Sequence, residues 1–512
     1  MSQEVTNKSN TLIGKRILVT AVDLEELEYR GIASFSKNLI NVLYEKGAEI
    51  WLLSSFDTKT EGRKYKSTPK STIDLIKVSR ILDFFESGGR PSLNEKLINF
   101  LVIRDYKSVL NIISKIEKLV HYILLYLRIT NNIFSTKQLD KLDLSILIDN
   151  PNLRINRLDY LKKVKGIVVA KKIFQTAKIL ARMNSRKPVE IDVKNFDIFF
   201  CTSPLFIKPK NINKINFIQT IHDLIPLEYY KHGEDQLQFI HRLQACNNAK
   251  RIFISNTTQS KYKRYINGSN KDSKLEYIKG NESTEIIVSQ PPSLNSSYSN
   301  ISVENKSNLD PAFILKSYTL EPFNYLLFNS SIEPRKNPLF LLDIYRSSEF
   351  LINNNIKVCV VGHFEDKKDK YVKSVMTIMN KEDGIVFSGY VSESQKLDFY
   401  LNTISLCSPS LVEGYGIPVL DACCMGIDVL ASNCESHREI QSKYDFKSYL
   451  RLLSLSDIKE WQNELKLLLY KFQCSDFNMD SERVKRMKRY KNYSEMINRS
   501  YEKALLDICN RD

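Results

Sequence analysis

The sequence predicts an α/β protein of two Rossmann-like domains that face each other across a cleft, and two observations support this fold class. Short β-branched and aromatic runs alternate with amphipathic helical patterns towards both ends of the 512-residue chain. A polar stretch rich in serine and asparagine, 293–308, separates the two series. Alternation of this kind is typical of βαβ units in a parallel sheet, whose ligands bind beyond the carboxyl ends of the strands. We therefore expect the functional site in the cleft between the two sheets.

The first series of elements begins close to the N-terminus. Residues 15–22 and 49–55 have the composition of strands, and apolar residues recur at helical spacing between them. These elements predict an N-terminal domain over residues 1–310. Its further strands are predicted at 196–204, 215–226, 251–256 and 284–292.

The second series begins after residue 310. Five apolar runs separated by helical patterns predict a C-terminal Rossmann-like domain over 311–484, and a last helical segment covers 485–512. The five runs are YLLFNSS, KVCVVGH, GIVFSGY, ISLCSPS and DVLASN.

Residues 56–195 break the alternation and predict a helical insertion in the first domain. Over 99–134, apolar residues recur at helical spacing among basic ones, which is typical of one or two amphipathic helices. Two interpretations stay open for these helices: packing on the N-terminal domain, or contact with a membrane surface or a lipid acceptor.

Composition and charge exclude several classes of protein. A chain with 43% hydrophobic and 26% charged residues fits a folded, soluble protein. Its nine cysteines include no Cys-x-x-Cys pair, so neither a zinc site nor a disulfide framework is predicted, and we expect a cytosolic protein. The N-terminal apolar run is too short for a signal peptide or a membrane span. The net charge of +16 favours polyanions, which include nucleotide pyrophosphates, anionic lipids and nucleic acid.

The stretch 408–433, SPSLVEGYGIPVLDACCMGIDVLASN, carries two carboxylates around a predicted helix start. Pro418 suits the first turn of a helix. The free amides and positive dipole end of that helix would form a phosphate-binding site. Glu413 would then accept hydrogen bonds from sugar hydroxyls, and Asp421 from a ribose diol. The alternative is structural: Glu413 caps the helix and Asp421 favours its dipole.

A second group of candidate site residues lies in FNSSIEPRKNPLFLLDIY, residues 328–345. A predicted strand ends there, and Glu333, Arg335 and Lys336 precede a helix that begins near Pro338. A fixed guanidinium and ammonium would stabilise the negative charge of a departing nucleoside diphosphate. No Asp-x-Asp pair ends a predicted strand, so we expect no metal. The alternative is a basic pair on a solvated helix entry.

Three stretches carry a resemblance to a known family: NSSIEPRKN, PSLVEGYGIPVLDA and IHDLIPLEYY, the last at residues 221–230. Together they resemble the retaining nucleotide-sugar glycosyltransferases of family 4, and among these the bacterial mannosyltransferases that build surface polysaccharide. The resemblance implies the GT-B fold. It also implies that the last helix, around 493–508, crosses back onto the first domain.

The resemblance implies a role for each site residue. Glu413 would contact the donor sugar and His222 would lie near the reacting carbon, and these two are the expected catalytic residues. The expected donor-binding residues are Arg335, Lys336, Gly414, Tyr415, Gly416, Asp421 and Val391.

The resemblance also implies the reaction and its partners. A hexose would pass with retention of configuration from GDP-mannose, or alternatively from a UDP-sugar, to a growing glycan or a lipid-linked oligosaccharide. No metal or cofactor is expected, and no nucleic acid. The expected location is the cytoplasm or the inner face of the cytoplasmic membrane, where an anionic membrane surface would be a further partner.

Three residues depart from the family pattern. Asp421 stands where the family usually has a glutamate, Ala33 where the first loop has a second glycine, and Asp428 where a proline is common. A shorter carboxylate and a crowded loop would weaken donor binding. One alternative function is therefore a catalytically inactive GT-B scaffold. The basic insertion suggests another, a peripheral membrane-binding subunit.

Overall fold

The structure is a computed structural model, and every structural statement below concerns the residues that it describes. These are residues 11–20, 22–25, 31–54, 123, 133–134, 136–139, 156–170, 173–183, 187–211, 214–229, 235–245, 248–267, 285–294, 315, 318–364, 367–389, 391, 393–473 and 476–511.

The N-terminal part of the chain alternates between strands and helices. In chain order these elements are β1 (Arg16–Val19), α1 (Gly31–Glu45), β2 (Glu49–Ser54), β3 (Ile133–Phe134), β4 (Lys137–Leu139), β5 (Gly166–Val169), α2 (Ile173–Arg182), β6 (Val189–Ile191), β7 (Ile198–Cys201), β8 (Ile207–Pro209), β9 (Asn216–Ile221), α3 (Ile225–Glu228), α4 (Gln236–Ala245), β10 (Lys250–Phe253), α5 (Asn256–Asn267) and β11 (Glu285–Ile287).

Eight of these strands form one sheet in the order β11-β10-β9-β7-β1-β2-β5-β4. All neighbours in it run parallel except β4, which pairs with β5 antiparallel. Strands β3, β6 and β8 form a small second sheet. The residues of β7 are buried on both faces, as a central strand of a parallel sheet requires.

The C-terminal part repeats the same alternation. Its elements are β12 (Tyr325–Asn329), α6 (Pro338–Arg346), α7 (Glu349–Asn353), β13 (Lys357–Val361), α8 (Lys370–Met379), β14 (Ile385–Gly389), α9 (Glu393–Asn402), β15 (Ser405–Ser408), α10 (Ile417–Met425), β16 (Asp428–Ser432), α11 (Glu435–Lys443), β17 (Leu450–Leu453), α12 (Ile458–Phe472) and α13 (Met479–Asn510).

The C-terminal strands form a parallel sheet in the order β14-β13-β12-β15-β16-β17. The chain therefore changes direction across the sheet between β12 and β15, which is the position where open α/β sheets bind ligands. Every residue of β16 is buried.

Helix α13 joins the two domains. One apolar stripe of the helix is buried along its length, and it includes Tyr490, Ile497, Tyr501 and Leu505. These side chains belong to a single buried cluster with residues of both sheets. At the C-terminal end of α13, Lys15 Nζ donates a hydrogen bond to the Cys509 carbonyl oxygen (3.1 Å).

The predicted helical insertion at 56–195 differs from the structure at its C-terminal part. There β5 joins the main sheet beside β2, and α2 and β6 follow it, so the α/β alternation resumes by residue 166. The four-residue strand GIVV lies between lysines, and so short a run gives a weak sequence signal. The prediction for 99–134 falls almost wholly outside the described residues.

Candidate active site

The loop between β15 and α10 carries the first group of site residues. The strand is buried and ends at Ser408, and Pro418 stands in the first turn of the helix, as the sequence predicts. Gly416 occupies the position before the helix with φ +97°, a left-handed conformation that favours glycine. Among the described residues, no side chain caps this helix, so its first amides keep no side-chain partner there.

Glu413 lies at the centre of this loop and is 6% exposed. Its Oε1 and Oε2 each accept a hydrogen bond from Lys336 Nζ at 2.6 Å. Ser410 Oγ donates to Oε1 at 2.7 Å, and Arg335 Nη1 lies 3.8 Å from Oε2. The loop after β12 and the loop after β15 therefore meet at one carboxylate.

Backbone and side-chain bonds hold Arg335 in place. Its Nη2 lies 2.8 Å from Glu333 Oε1, and its carbonyl oxygen accepts from Leu411 N at 2.7 Å. The first contact holds the guanidinium within the loop after β12, and the second links the backbones of the two loops. Arg335 and Lys336 thus converge on Glu413, in the loop that leads into α10, where the sequence predicts a diphosphate.

The charges of this cluster set its protonation. Burial by itself raises the pKa of Glu413, but Lys336 and Arg335 outweigh it and lower that pKa to about 2. Burial lowers the pKa of Lys336, and the Glu413 charge opposes that shift. Glu413 is therefore an ionised hydrogen-bond acceptor at neutral pH.

The N-terminal domain contributes His222, which follows β9 and is 6% exposed. Its Nε2 lies 2.6 Å from the Thr202 carbonyl oxygen, so Nε2 carries the hydrogen and donates it. Phe35 packs edge-on against the imidazole at 5.0 Å between ring centroids. Burial lowers the pKa of His222, which favours a neutral ring.

The two domains touch at this site. A β-carbon placed on Gly414 would lie 2.9 Å from Asp223 Cβ, so the glycine permits the contact. A β-carbon on Gly31 would lie 3.0 Å from Ile417 Cδ1, at the start of α10. The loops after β9 and β15 therefore face each other across the domain interface, with His222 and Glu413 on opposite sides.

The structure places Asp421 away from this cluster. It is 1% exposed, and its two oxygens accept from the backbone N of Ser293 (2.7 Å) and from the Ser293 Oγ (2.5 Å). Tyr490 Oη lies 3.4 Å from Oδ1. In this arrangement the carboxylate joins α10 to the interdomain segment and to α13, and its ribose contact stays a prediction.

The remaining predicted residues lie around the loop. Tyr415 is buried, and its hydroxyl lies 3.3 Å from that of Tyr444. Val391 is buried just after β14, at the edge of the sheet and two strands from β12. The structure therefore brings Glu413, Arg335 and Lys336 into contact with one another and leaves Val391 at the sheet edge.

Three residues near the site carried no site prediction. Asp223 touches Gly414, and the Ser436 Oγ donates to the carbonyl oxygen of Glu413 at 2.8 Å. His437 packs against Gly416. Ser436 and His437 lie in NCESHREI, a polar run at the end of an apolar strand. Because ligands bind beyond the carboxyl ends of parallel strands, this position could have marked them as candidate site residues.

Comparison with known proteins agrees with this architecture. Residues 313–450, within the C-terminal domain, match the family described as "Glycosyl transferases group 1". A glycosyltransferase structure from Rickettsia africae ESF-5 aligns over 97% of this chain and 99% of that chain, with a TM-score of 0.50 and 13% identity. Together with the two parallel sheets, this likeness confirms the predicted GT-B fold.

Two curated proteins resemble part of the chain. The O-antigen chain mannosyltransferase B of Escherichia coli is 28% identical over 127 residues, which cover 25% of this chain and 33% of that protein. Protein CapJ of Staphylococcus aureus is 26% identical over 165 residues, 30% of this chain and 41% of that protein. The match thus spans less than half of either relative.

Among the described residues, no helix combines the length and the apolar character needed to cross a membrane.

Proposed function

We propose that this protein is a glycosyltransferase that moves a hexose from a nucleotide diphosphate sugar to a growing glycan or lipid-linked oligosaccharide in surface polysaccharide synthesis. The observation that carries the proposal is the convergence of Arg335 and Lys336 on Glu413, in the loop that leads into the uncapped start of α10. Cationic side chains and free helix amides stabilise the charge that develops on a departing diphosphate.

Each group has a task in this reaction. The diphosphate lies against Arg335 and the first amides of α10, and the sugar hydroxyls donate to Glu413. Lys336 keeps Glu413 ionised and fixed, because its ammonium bonds both carboxylate oxygens. His222, held by the Thr202 carbonyl, borders the sugar from the other domain.

The transfer proceeds with retention of configuration and without a metal. The bond between the anomeric carbon and the phosphate oxygen breaks, and the electron pair leaves with the nucleoside diphosphate. The acceptor hydroxyl attacks the same face, and a phosphate oxygen takes its proton. The protein contributes positioning and electrostatic stabilisation of the leaving group.

GDP-mannose is the favoured donor, because the E. coli protein that matches part of the chain is named as a mannosyltransferase. A UDP-sugar is the alternative. We place the base near Val391 and the ribose near Asp421, which requires Asp421 to exchange its bonds with Ser293 for bonds to the ligand. The reaction takes place in the cytoplasm or at the inner face of the membrane.

A panel of labelled nucleotide sugars, with and without a chelator, tests the proposal by release or transfer of the sugar. Glu413→Gln should lower kcat by about 10²-fold or more, in the range seen when one stabilising group is removed. Glu464→Gln is the matched control, since Glu464 forms an ion pair with Arg451 at 3.1 Å and lies outside the cluster. Equal rates for wild type and Glu413→Gln would overturn the assignment.

A catalytically inactive scaffold is the second candidate. It is favoured by Asp421, whose two oxygens are already bonded to Ser293. This candidate predicts no turnover of any donor and no binding of GDP or UDP by calorimetry. Nucleotide binding together with turnover would exclude it.

A further inference from the structure

His437 lies directly behind the loop that carries Glu413. It is the third residue of α11, and its imidazole is fully buried. Its Nδ1 lies 2.8 Å from the Ser432 carbonyl oxygen, which can only accept, so Nδ1 carries a hydrogen. Nε2 is also buried, and it has no hydrogen-bond partner among the described residues. An unpartnered buried nitrogen is uncommon and calls for a physical reason.

The position of this nitrogen relates it to α10. A β-carbon on Gly416 would lie 3.2 Å from His437 Cδ2 and 3.4 Å from Nε2. Gly416 is the residue from which the free amides of the helix begin. The edge of the imidazole therefore lies beside the start of α10, where the proposed function places the diphosphate.

The first turn of α11 supports this loop through a second residue. Ser436 Oγ donates to the carbonyl oxygens of Glu413 (2.8 Å) and Gly414 (3.2 Å). Ser436 directly precedes His437, so the first turn of α11 contacts this loop through both residues. The two residues act on one loop.

Several charged groups surround the imidazole. Glu413 faces it from the loop, and Cys434 faces it from the start of its own helix. Arg335 and Lys336 bind the other side of Glu413. Burial lowers the pKa of His437, but Cys434 and Glu413 outweigh it, and the pKa lies above its ordinary value.

We propose that His437 is a positioning residue that takes up a proton when a nucleoside diphosphate binds at α10. At a pH where the ring is neutral in the free protein, the proton comes from solvent and occupies Nε2, and the ring beside Gly416 becomes a cation near the phosphates. The inference rests on the proposed function, because that function places the diphosphate there. It assigns to one buried side chain the pH dependence of donor binding.

The sign of the effect follows from linkage. A bound anion raises the pKa of a nearby imidazole, so the ligand binds more tightly where the imidazole is charged. Affinity is highest below the pKa of the free protein's His437 and falls as pH rises through it. A pKa that rises by one unit on binding corresponds to about a tenfold change in affinity.

Isothermal titration calorimetry of the full-length protein with GDP and with UDP tests the proposal. Titrations in two buffers of different ionisation enthalpy give the number of protons taken up per nucleotide. We expect uptake by the wild type, and a dissociation constant that increases several-fold from pH 7 to pH 9. His437→Gln should bind without this uptake, with a flatter pH profile. The titration of the ligand itself is common to both proteins and cancels in the difference.

His241→Asn is the matched control. His241 lies on α4, and its Nδ1 contacts the Ala181 carbonyl oxygen at 2.6 Å, so it is a second histidine held by a carbonyl but remote from the loop. Its variant should keep the wild-type proton uptake. Cys434→Ser removes a group that raises the pKa of His437, so the uptake should persist with the pH profile shifted to lower pH.

The outcomes distinguish the two proposals. If wild type binds a nucleotide without proton uptake, or if His437→Gln keeps the wild-type pH profile, the inference on His437 falls and the proposed function stands. If wild type binds neither GDP nor UDP, the proposed function falls first. Should His437→Gln fail to fold, His437→Asn replaces it in the comparison, and binding by the wild type without proton uptake would still overturn the inference.

Discussion

Glu413 and Lys336 form a buried ion pair with two bonds of 2.6 Å, and both side chains are less than 10% exposed. Taking two charges out of water costs free energy, which close contacts of this kind offset only in part. Such a pair is therefore a poor way to gain stability. We infer that the pair instead holds Glu413 in place as an ionised hydrogen-bond acceptor at the interface between the two domains.

Removal of one partner of this ion pair should lower the free energy of unfolding. In Lys336→Met, the Glu413 carboxylate stays buried and loses both ammonium bonds, so we expect a loss of about 3–5 kcal/mol in the free energy of unfolding. Urea denaturation measures it. The double variant Lys336→Met, Glu413→Gln should recover most of the loss, because no lone charge then remains. Equal stability of the double and the single variant would contradict this account.

The low pKa of Glu413 predicts a pH dependence of stability. The pKa is about 2 in the folded protein, against an ordinary value of 4.5. A lowered pKa adds stability that is present above 4.5 and is lost as pH falls towards 2. From about pH 5 to pH 3, the free energy of unfolding should therefore fall more steeply for wild type than for Glu413→Gln. Parallel curves would show that the carboxylate is not held in its charged form.

The sequence does not predict which basic side chains at the start of α13 are buried. The basic run 483–491 is compatible with a solvated face, a lipid contact or nucleic acid. In the structure its arginines recur at every third position and turn inwards, whereas Lys485 and Lys488 are exposed. Arg489 stacks over the Tyr449 ring at 5.2 Å. Charge alone does not reveal this division, because only the neighbouring elements decide which face is covered.

The elements around the site were more predictable. Pro418 stands in the first turn of α10 as the sequence predicts, since proline suits a first turn, and Gly426 ends the helix with φ +73°. Pro338 likewise begins α6. The insertion was less predictable, because the short strand β5 carries little periodicity. Local turn chemistry is readable in a sequence, and the pairing of a four-residue strand is decided by tertiary contacts.

Arg486 ties two elements together. Its Nη1 donates to the carbonyl oxygens of Tyr400 (3.1 Å), Leu401 (3.2 Å) and Thr403 (2.8 Å), at the end of α9. The side chain is 1% exposed. It satisfies carbonyl groups that a helix end leaves without partners.

We expect Arg486→Ala to lower the free energy of unfolding by about 3 kcal/mol or more, since buried carbonyl oxygens lose a charged donor and a cavity forms. Lys485→Ala is the matched control, because Lys485 is the exposed neighbour on the same helix and should change stability by less than about 0.5 kcal/mol. Chemical denaturation of both variants measures the difference. Similar losses for the two would refute a structural role for the guanidinium.

At the scale of the whole molecule, polar contacts join the domains beside the site. Glu439 on α11 accepts hydrogen bonds from the backbone N of Asn256 (2.8 Å) and of Thr257 (2.7 Å), at the start of α5. Arg264 Nη2 lies 3.1 Å from Glu435 Oε1. A carboxylate of one domain thus caps a helix of the other. Nothing in the sequence links these residues, which lie far apart along the chain.

Loss of this interdomain cap should loosen the arrangement of the domains. Glu439→Ala leaves two helix amides without a partner, and a lost cap costs about 1 kcal/mol. We expect a larger radius of gyration in small-angle X-ray scattering than for wild type. Glu464→Ala, which breaks an ion pair within the C-terminal domain, is the control and should scatter like wild type. An unchanged curve for Glu439→Ala would rule out the cap as a tie between domains.

Helix α13 has a mechanical consequence. Its first turns are fastened to the C-terminal domain through Arg486, and its last turns to the N-terminal domain through Cys509, whose carbonyl oxygen binds Lys15. A rod anchored at both ends resists stretching far more than bending. We therefore expect the two ends of the helix to keep the two domains at a fixed separation.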